Sequence, residues 1–220
     1  MDTPTLMPRE KLLKWGAATL SDEELVAIFL RTGIKNCPVM QLSQQVIAHF
    51  GSLRGLLCAD QKQFCAVKGI GITQFIQLQA CIEMTKRYLS QQIHALPLFD
   101  NSETVRFYLQ AELECREREV FVALFLDNQH RLIRKEEMFL GSINRAFVYP
   151  REVLKTALAC NATALIIAHN HPSGEPTPSK ADVNVTRRIK AACELIDVEL
   201  LDHFVIGKGA YFSFLEQQWL

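Results

Sequence analysis

The stretch Ala164-Leu-Ile-Ile-Ala-His-Asn-His-Pro-Ser-Gly-Glu-Pro-Thr-Pro-Ser-Lys-Ala-Asp182 reads as a buried strand, a stiff loop and a helix start in succession. Ala164–Ala168 has the unbroken apolarity of a strand covered on both faces. His169 and His171 leave that strand two residues apart, so their imidazoles point to the same side. Pro172, Pro176, Pro178 and Gly174 make the following loop stiff, which places its far end reproducibly. Ser179-Lys-Ala-Asp182 is an S-x-x-D capping box, putting Asp182 in the first turn of a helix. Two neutral imidazoles and one carboxylate make a three-ligand set that leaves zinc a fourth position for water. Zinc so held lowers the pKa of its water to about 7, giving hydroxide at neutral pH. A purely structural reading, a polar strand end followed by a capped helix, explains each piece alone but not their conjunction. Ser179 can serve both as the cap and as a donor near a substrate carbonyl.

Around this stretch, strands alternate with helices. Val120–Leu126 is β-branched and aromatic, Asp127-Asn128 supplies turn chemistry, and Leu132–Phe139 is a plausible partner strand. Pro150 at a first helical position opens Arg151–Cys160, Lys180–Leu195 reads as a helix, and Val198–Ile206 as a strand ending at Gly207. The class is α/β. The front of the chain is helical instead. Ser21-Asp-Glu-Glu24 opens one helix with Leu25, Ile28, Phe29 and Leu30 on its apolar face and Gly33 as its stop. Leu42, Val46, Ile47 and Phe50 mark a second, closed by Gly51, and a third runs from Ile72 through Tyr88. Ser90–Glu103 loses the helical period and carries Pro97. The reading is an all-helical domain over 1–96 and an α/β domain over 97–220.

Val67-Lys-Gly-Ile-Gly-Ile72 resembles a helix-hairpin-helix, h-x-G-h-G-h, whose glycines let backbone N–H groups approach a DNA phosphate. Lys68 adds a charge, yet Thr73–Gln77 holds no Lys or Arg, and a tight αα-turn needs glycine in any case. Weak, sequence-independent DNA binding through residues 1–96 is the expectation on the first reading, a mere turn on the second. Formal charge is zero, 24 basic against 24 acidic, which excludes a uniformly basic nucleic-acid coat. Residues 1–96 hold 10 basic and 7 acidic side chains, residues 97–220 hold 14 and 17. No apolar run approaches a membrane span of about 20 residues, and the charged N-terminus lacks a secretory signal, so a cytoplasmic protein without membrane association is expected. The seven cysteines include no C-x-x-C pair and so offer no paired-thiolate zinc site.

The spacing H-x-H, seven residues, S, two residues, D resembles the JAMM (MPN+) metalloprotease motif with every gap matched. The run HNHPSGEPTPSKAD, together with Leu201-Asp-His-Phe-Val-Ile-Gly207, Pro8-Arg-Glu-Lys-Leu12 and Leu20-Ser-Asp-Glu-Glu24, resembles the bacterial RadC family across essentially the whole chain. The resemblance implies a three-layer α/β/α JAMM/MPN fold of the cytidine-deaminase-like kind after the helical domain, with Zn²⁺ held by His169, His171 and Asp182. It also implies a glutamate leading into the first core strand. Glu119-Val-Phe-Val matches that pattern and would serve as general base and acid, with Glu117, Glu136 and Glu137 as alternatives. Ser179 would steady an oxyanion. Asn170 and Pro172 depart from the eukaryotic isopeptidases, which speaks against a ubiquitin-like substrate more than against the metal.

The function expected is therefore zinc-dependent hydrolysis of an amide or isopeptide bond in a peptide or protein. The competing reading is a non-catalytic DNA-associated or protein-interaction module with a structural or idle zinc site. A zinc deaminase is excluded, since H-x-E and P-C-x-x-C are both missing. His203 reads as a core histidine, or as support for the site. The oligomeric state stays open, a homo-oligomer included.

Overall fold

The computed structural model describes residues 6–95, 102–140 and 148–220. By its internal contacts the chain forms two compact units, Met1–Met84 and Thr85–Leu220. The first holds the short helices α1 (Pro8–Trp15), α2 (Asp22–Leu30), α3 (Val39–Phe50), α4 (Leu53–Leu57) and α5 (Gln61–Cys65) and the start of the long α6 (Ile72–Ala95), which runs on into the second. The capping box forms as the sequence requires: Ser21 Oγ accepts from the Glu24 amide, and the Glu24 carboxylate accepts from the Ser21 amide. Gly33 is not the stop of α2. Arg31, with φ of 70°, ends it instead. Val26, Leu30, Leu42, Val46, Leu56, Phe64, Ile70 and Leu78 form the core of this unit. In the turn between α5 and α6, Gly69 has φ of +98°, and a Cβ there would stand 2.7 Å from Leu42 Cδ1. The Gly71 amide donates to Gln74 Oε1. The turn thus needs glycine at position 69 for its own conformation and packing.

Residues 90–95, read from sequence as the start of a linker, are helical. Ile93 explains it: its buried side chain anchors the end of α6 in the core of the second unit. Residues 96–101, with Pro97, lie outside the described residues. Helix α7 (Ser102–Leu113), which the sequence reading did not anticipate, follows them.

The second unit is a mixed five-stranded sheet with helices on both faces, an α/β/α arrangement. Its strands are β1 (Val120–Leu126), β2 (Leu132–Leu140), β3 (Ala164–Asn170), β4 (Glu199–Ile206) and β5 (Tyr211–Ser213), in the order β2-β1-β3-β4-β5. Only β3 and β4 are parallel, and the crossover between them is α9 (Lys180–Glu194). One face packs Val122, Leu124 and Leu126 against Val105, Tyr108, Leu109 and Leu113 of α7. The other packs Phe121, Ala123, Phe125, Leu165 and Ile167 against α9 and α8 (Pro150–Ala159). Cover on both sides is why all seven residues of β1 and of β3 are buried. No helix among the described residues is long and apolar enough to cross a membrane.

Register shifts twice between β1 and β2 and once between β3 and β4, and the last bears on the site. The partner of Leu165 is Leu200, but that of Ile166 is Asp202, so Leu201 is an extra residue. This bulge turns His203 to the α9 face that Leu200 also occupies.

Candidate metal centre

The centre lies where β3 ends. His169 is 1 % exposed, and the chain then continues as a strand just far enough for the His171 amide to donate to the Ile206 carbonyl at 2.8 Å. The proline loop is fastened behind it, the Gly174 amide donating to His171 O and the Lys208 amide to Gly174 O. The loop packs so closely that a Cβ on Gly207 would run into the Gly174 carbonyl oxygen. Its far end delivers Ser179 as the N-cap of α9. Asp182 Oδ2 accepts from the Ser179 amide at 2.6 Å, and Ser179 Oγ accepts from the Asp182 amide at 3.2 Å.

The sequence-predicted trio is brought together, and His169, His171 and Asp182 form a group able to hold a metal ion. His169 Nε2 and His171 Nε2 are 3.0 Å apart, and they stand 3.4 and 3.5 Å from the two Asp182 oxygens. Donor atoms around a tetrahedral zinc, at bond lengths of roughly 2.0–2.2 Å, lie about 3.3–3.5 Å from one another. Each imidazole nitrogen already stands at that distance from one carboxylate oxygen, and the two nitrogens would part slightly around an ion.

Hydrogen bonds fix which nitrogens carry protons. His171 Nδ1 lies 2.8 Å from the Glu175 carbonyl, which can only accept, so Nδ1 is the N–H and Nε2 keeps its lone pair. Thr186 Oγ1 gives its single proton to the Asp182 carbonyl at 2.6 Å. It must therefore accept from His203 Nδ1, also at 2.6 Å. His203 is completely buried between aromatic rings, with Phe214 stacked at 4.8 Å and Phe121 at 5.8 Å. Burial pushes its pKa well below the ordinary value, so the ring is neutral. Neutral, with its proton on Nδ1, it accepts at Nε2 from His169 Nδ1 at 2.8 Å. His169 Nε2 is then a bare lone pair too. Two lone pairs and a carboxylate converge on one point, an arrangement that asks for a cation.

Without a metal ion, a proton on His171 Nε2 can meet the same demand for positive charge. The hydrogen bond to Asp182 raises the His171 pKa above its ordinary value against the opposing effect of burial, and the charge of Glu119 adds to the rise. Burial alone would raise the Asp182 carboxyl, but hydrogen bonds with His169 and His171 outweigh it and hold that group far below the usual carboxylate range.

Glu119 is half-buried and immediately precedes β1. Phe121, two residues on, pairs with His169 and stacks its ring near-parallel on that imidazole. By alternation Glu119 belongs to the same face, level with His171. The alternatives differ. Glu117 sits in an exposed bend before the strand. Glu137 pairs with Val122, which faces the α7 core, and it binds Arg116 at 2.8 Å. Glu136 is on the edge strand opposite Ala123 and binds Arg134 at 2.7 Å.

Sequence reasoning assigned no role to Thr186 and none to Asn170 beyond its departure from the isopeptidase pattern. Asn170 is 2 % exposed. Its Oδ1 accepts from the Val120 amide at 2.8 Å, and its Nδ2 donates to the Arg116 and Arg118 carbonyls at 3.2 and 3.1 Å. The residue between the two histidines thus clamps the segment that carries Glu119. A polar residue inside a wholly buried strand was the available signal, since such a group must find partners.

This fold and donor set define a JAB-type domain, and a RadC-like JAB domain matches residues 99–219. The UPF0758 N-terminal domain matches residues 4–76. A UPF0758 protein of Histophilus somni is 68% identical over 216 residues, covering 98% of this chain and 97% of the relative. One from Actinobacillus succinogenes is 68% identical over the full length of both, and one from Pasteurella multocida is 64% identical over 100% of this chain and 98% of its own. The chain belongs to the RadC family of UPF0758 proteins.

Proposed function

We propose that the chain is a zinc-dependent hydrolase of the JAMM metallopeptidase type, cleaving an amide or isopeptide bond in a peptide or protein. The observation that carries the reading is the convergence of two imidazole lone pairs and a carboxylate whose protonation the surrounding hydrogen bonds dictate. His169, His171 and Asp182 would hold the ion. Bound zinc would polarise a substrate carbonyl and supply hydroxide near neutral pH.

The remaining steps belong to the chain's own groups. Glu119, on the face of the histidines, takes a proton from the attacking water at its carboxylate and returns it to the leaving amine. Ser179, its oxygen already committed to the Asp182 amide, offers its hydroxyl proton to the oxyanion. Asn170 holds the strand entrance so that Glu119 keeps its place. The buried aromatic wall of Phe121 and Phe214 keeps water from the inner side of the histidines.

The test is a peptide library incubated with the zinc-loaded protein and read by mass spectrometry, with Glu119→Gln as the paired control. Glutamine keeps the shape and cannot accept the proton, so cleavage should fall by about 10²–10⁴-fold while zinc content stays at the wild-type level. Equal cleavage by both proteins would remove Glu119 from the mechanism.

A further inference from the structure

We propose that His203 and Thr186 are positioning residues of the metal centre, acting through a directed hydrogen-bond relay that sets the tautomer of His169 and ties α9 to β3. The proposal rests on reading the site as a metal centre. The relay runs His169 Nδ1–H to His203 Nε2, His203 Nδ1–H to Thr186 Oγ1, and Thr186 Oγ1–H to the Asp182 carbonyl, with contacts of 2.8, 2.6 and 2.6 Å. The carbonyl at the end can only accept, so Thr186 donates to it and accepts from His203 Nδ1–H. His203, fully buried between two aromatic rings where a charge is costly, carries that one ring proton and accepts at Nε2 from His169.

Two consequences follow. His169 cannot place its proton on Nε2, so the nitrogen that faces His171 and Asp182 is held ready to donate its lone pair. The same chain ends on the backbone of Asp182 itself. One ligand comes from a strand and another from the first turn of a helix, and the relay crosses β4 to fix the distance between them. The bulge at Leu201 exists in this account to aim His203 at that gap, since regular alternation from Leu200 would point it to the other face. Phe121 and Phe214 close the relay off from solvent, where water would otherwise compete for each of its protons.

The relay can be read without substrate. In the metal-free wild type, nitrogen NMR of the imidazole rings should find His169 as the Nδ1–H tautomer. In His203→Leu, which fills the space but neither accepts nor donates, the proton should move toward Nε2, where Asp182 can accept it. Zinc affinity, measured by chelator competition, should then fall by about 10–100-fold. His203→Gln offers an acceptor and a donor in the same order and should recover most of both signals. Thr186→Val should mimic the loss and Thr186→Ser should not, which keeps the test intact if His203→Leu fails to fold. A wild-type His169 with its proton on Nε2 would overturn the proposal. So would a folded His203→Leu or Thr186→Val with unchanged tautomer and affinity. A wild type with the Nδ1–H tautomer that binds no zinc would overturn the metal reading alone.

Discussion

Asn170 shows how much of the site depends on one side chain that touches no ligand atom of the trio. Its carboxamide satisfies a buried amide and two carbonyls in the segment leading to Glu119. Removing it in Asn170→Ala leaves those groups without partners, at a cost of roughly 1–3 kcal/mol. The amides of residues 118–120 should lose protection from hydrogen exchange more than the rest of β1. Asn170→Asp is the sharper variant: it still accepts from Val120 but sets a negative oxygen against the Arg116 and Arg118 carbonyls, so it should be no better than alanine. Protection unchanged in both would mean that the strand entrance is held by other contacts. At this scale the trio was legible in the sequence, because H-x-H at a strand exit and S-x-x-D at a helix start are local patterns. The partners of Asn170 lie about fifty residues away in sequence, and no local pattern announces them. Strand pairing sets Glu137 on the other face from Glu119, while Glu136, on the same face, differs by its place on the edge strand and its ion pair with Arg134.

Among the elements, the meeting of β3 with the first turn of α9 makes the site sensitive to pH in two opposite ways. In the metal-free protein His171 has a raised pKa because Asp182 faces it. That pairing stabilises the fold fully below the unfolded histidine value of about 6.5, and the stabilisation is lost as pH rises through the raised folded value. Zinc needs the same nitrogen bare, so its affinity should climb over that window. Melting with a chelator present should therefore show a fall in stability with rising pH that His171→Gln lacks, while zinc competition shows affinity increasing. A zinc affinity that is flat between pH 6 and 8 would contradict the assignment of His171. The capped helix starts and the buried strand β3 were evident from composition and periodicity. The bulge in β4 was not, because Leu200, Leu201 and His203 give no local sign of an extra residue. Nor was the end of α6: Ser90-Gln-Gln92 looks polar, and only the burial of Ile93 in the second unit shows why the helix continues.

On the scale of the whole molecule, the chain joins a helical unit to a sheet covered on both faces, and every group proposed to act on substrate or metal belongs to the second. The change from helical to alternating patterns put the boundary between residues 96 and 97, whereas the compact units divide between Met84 and Thr85, inside α6. The trio lies wholly within the second unit among the described residues, and in the first unit Gly69 has a left-handed φ and close contact with Leu42. The central claim is that the second unit holds one zinc ion through His169, His171 and Asp182. Elemental analysis of purified, tag-free protein tests it most directly, with His171→Ala and Asp182→Ala measured alongside the wild type. The account predicts one zinc per wild-type chain and a sharp loss in both variants. Equal zinc in the wild type and the His171 variant would contradict it.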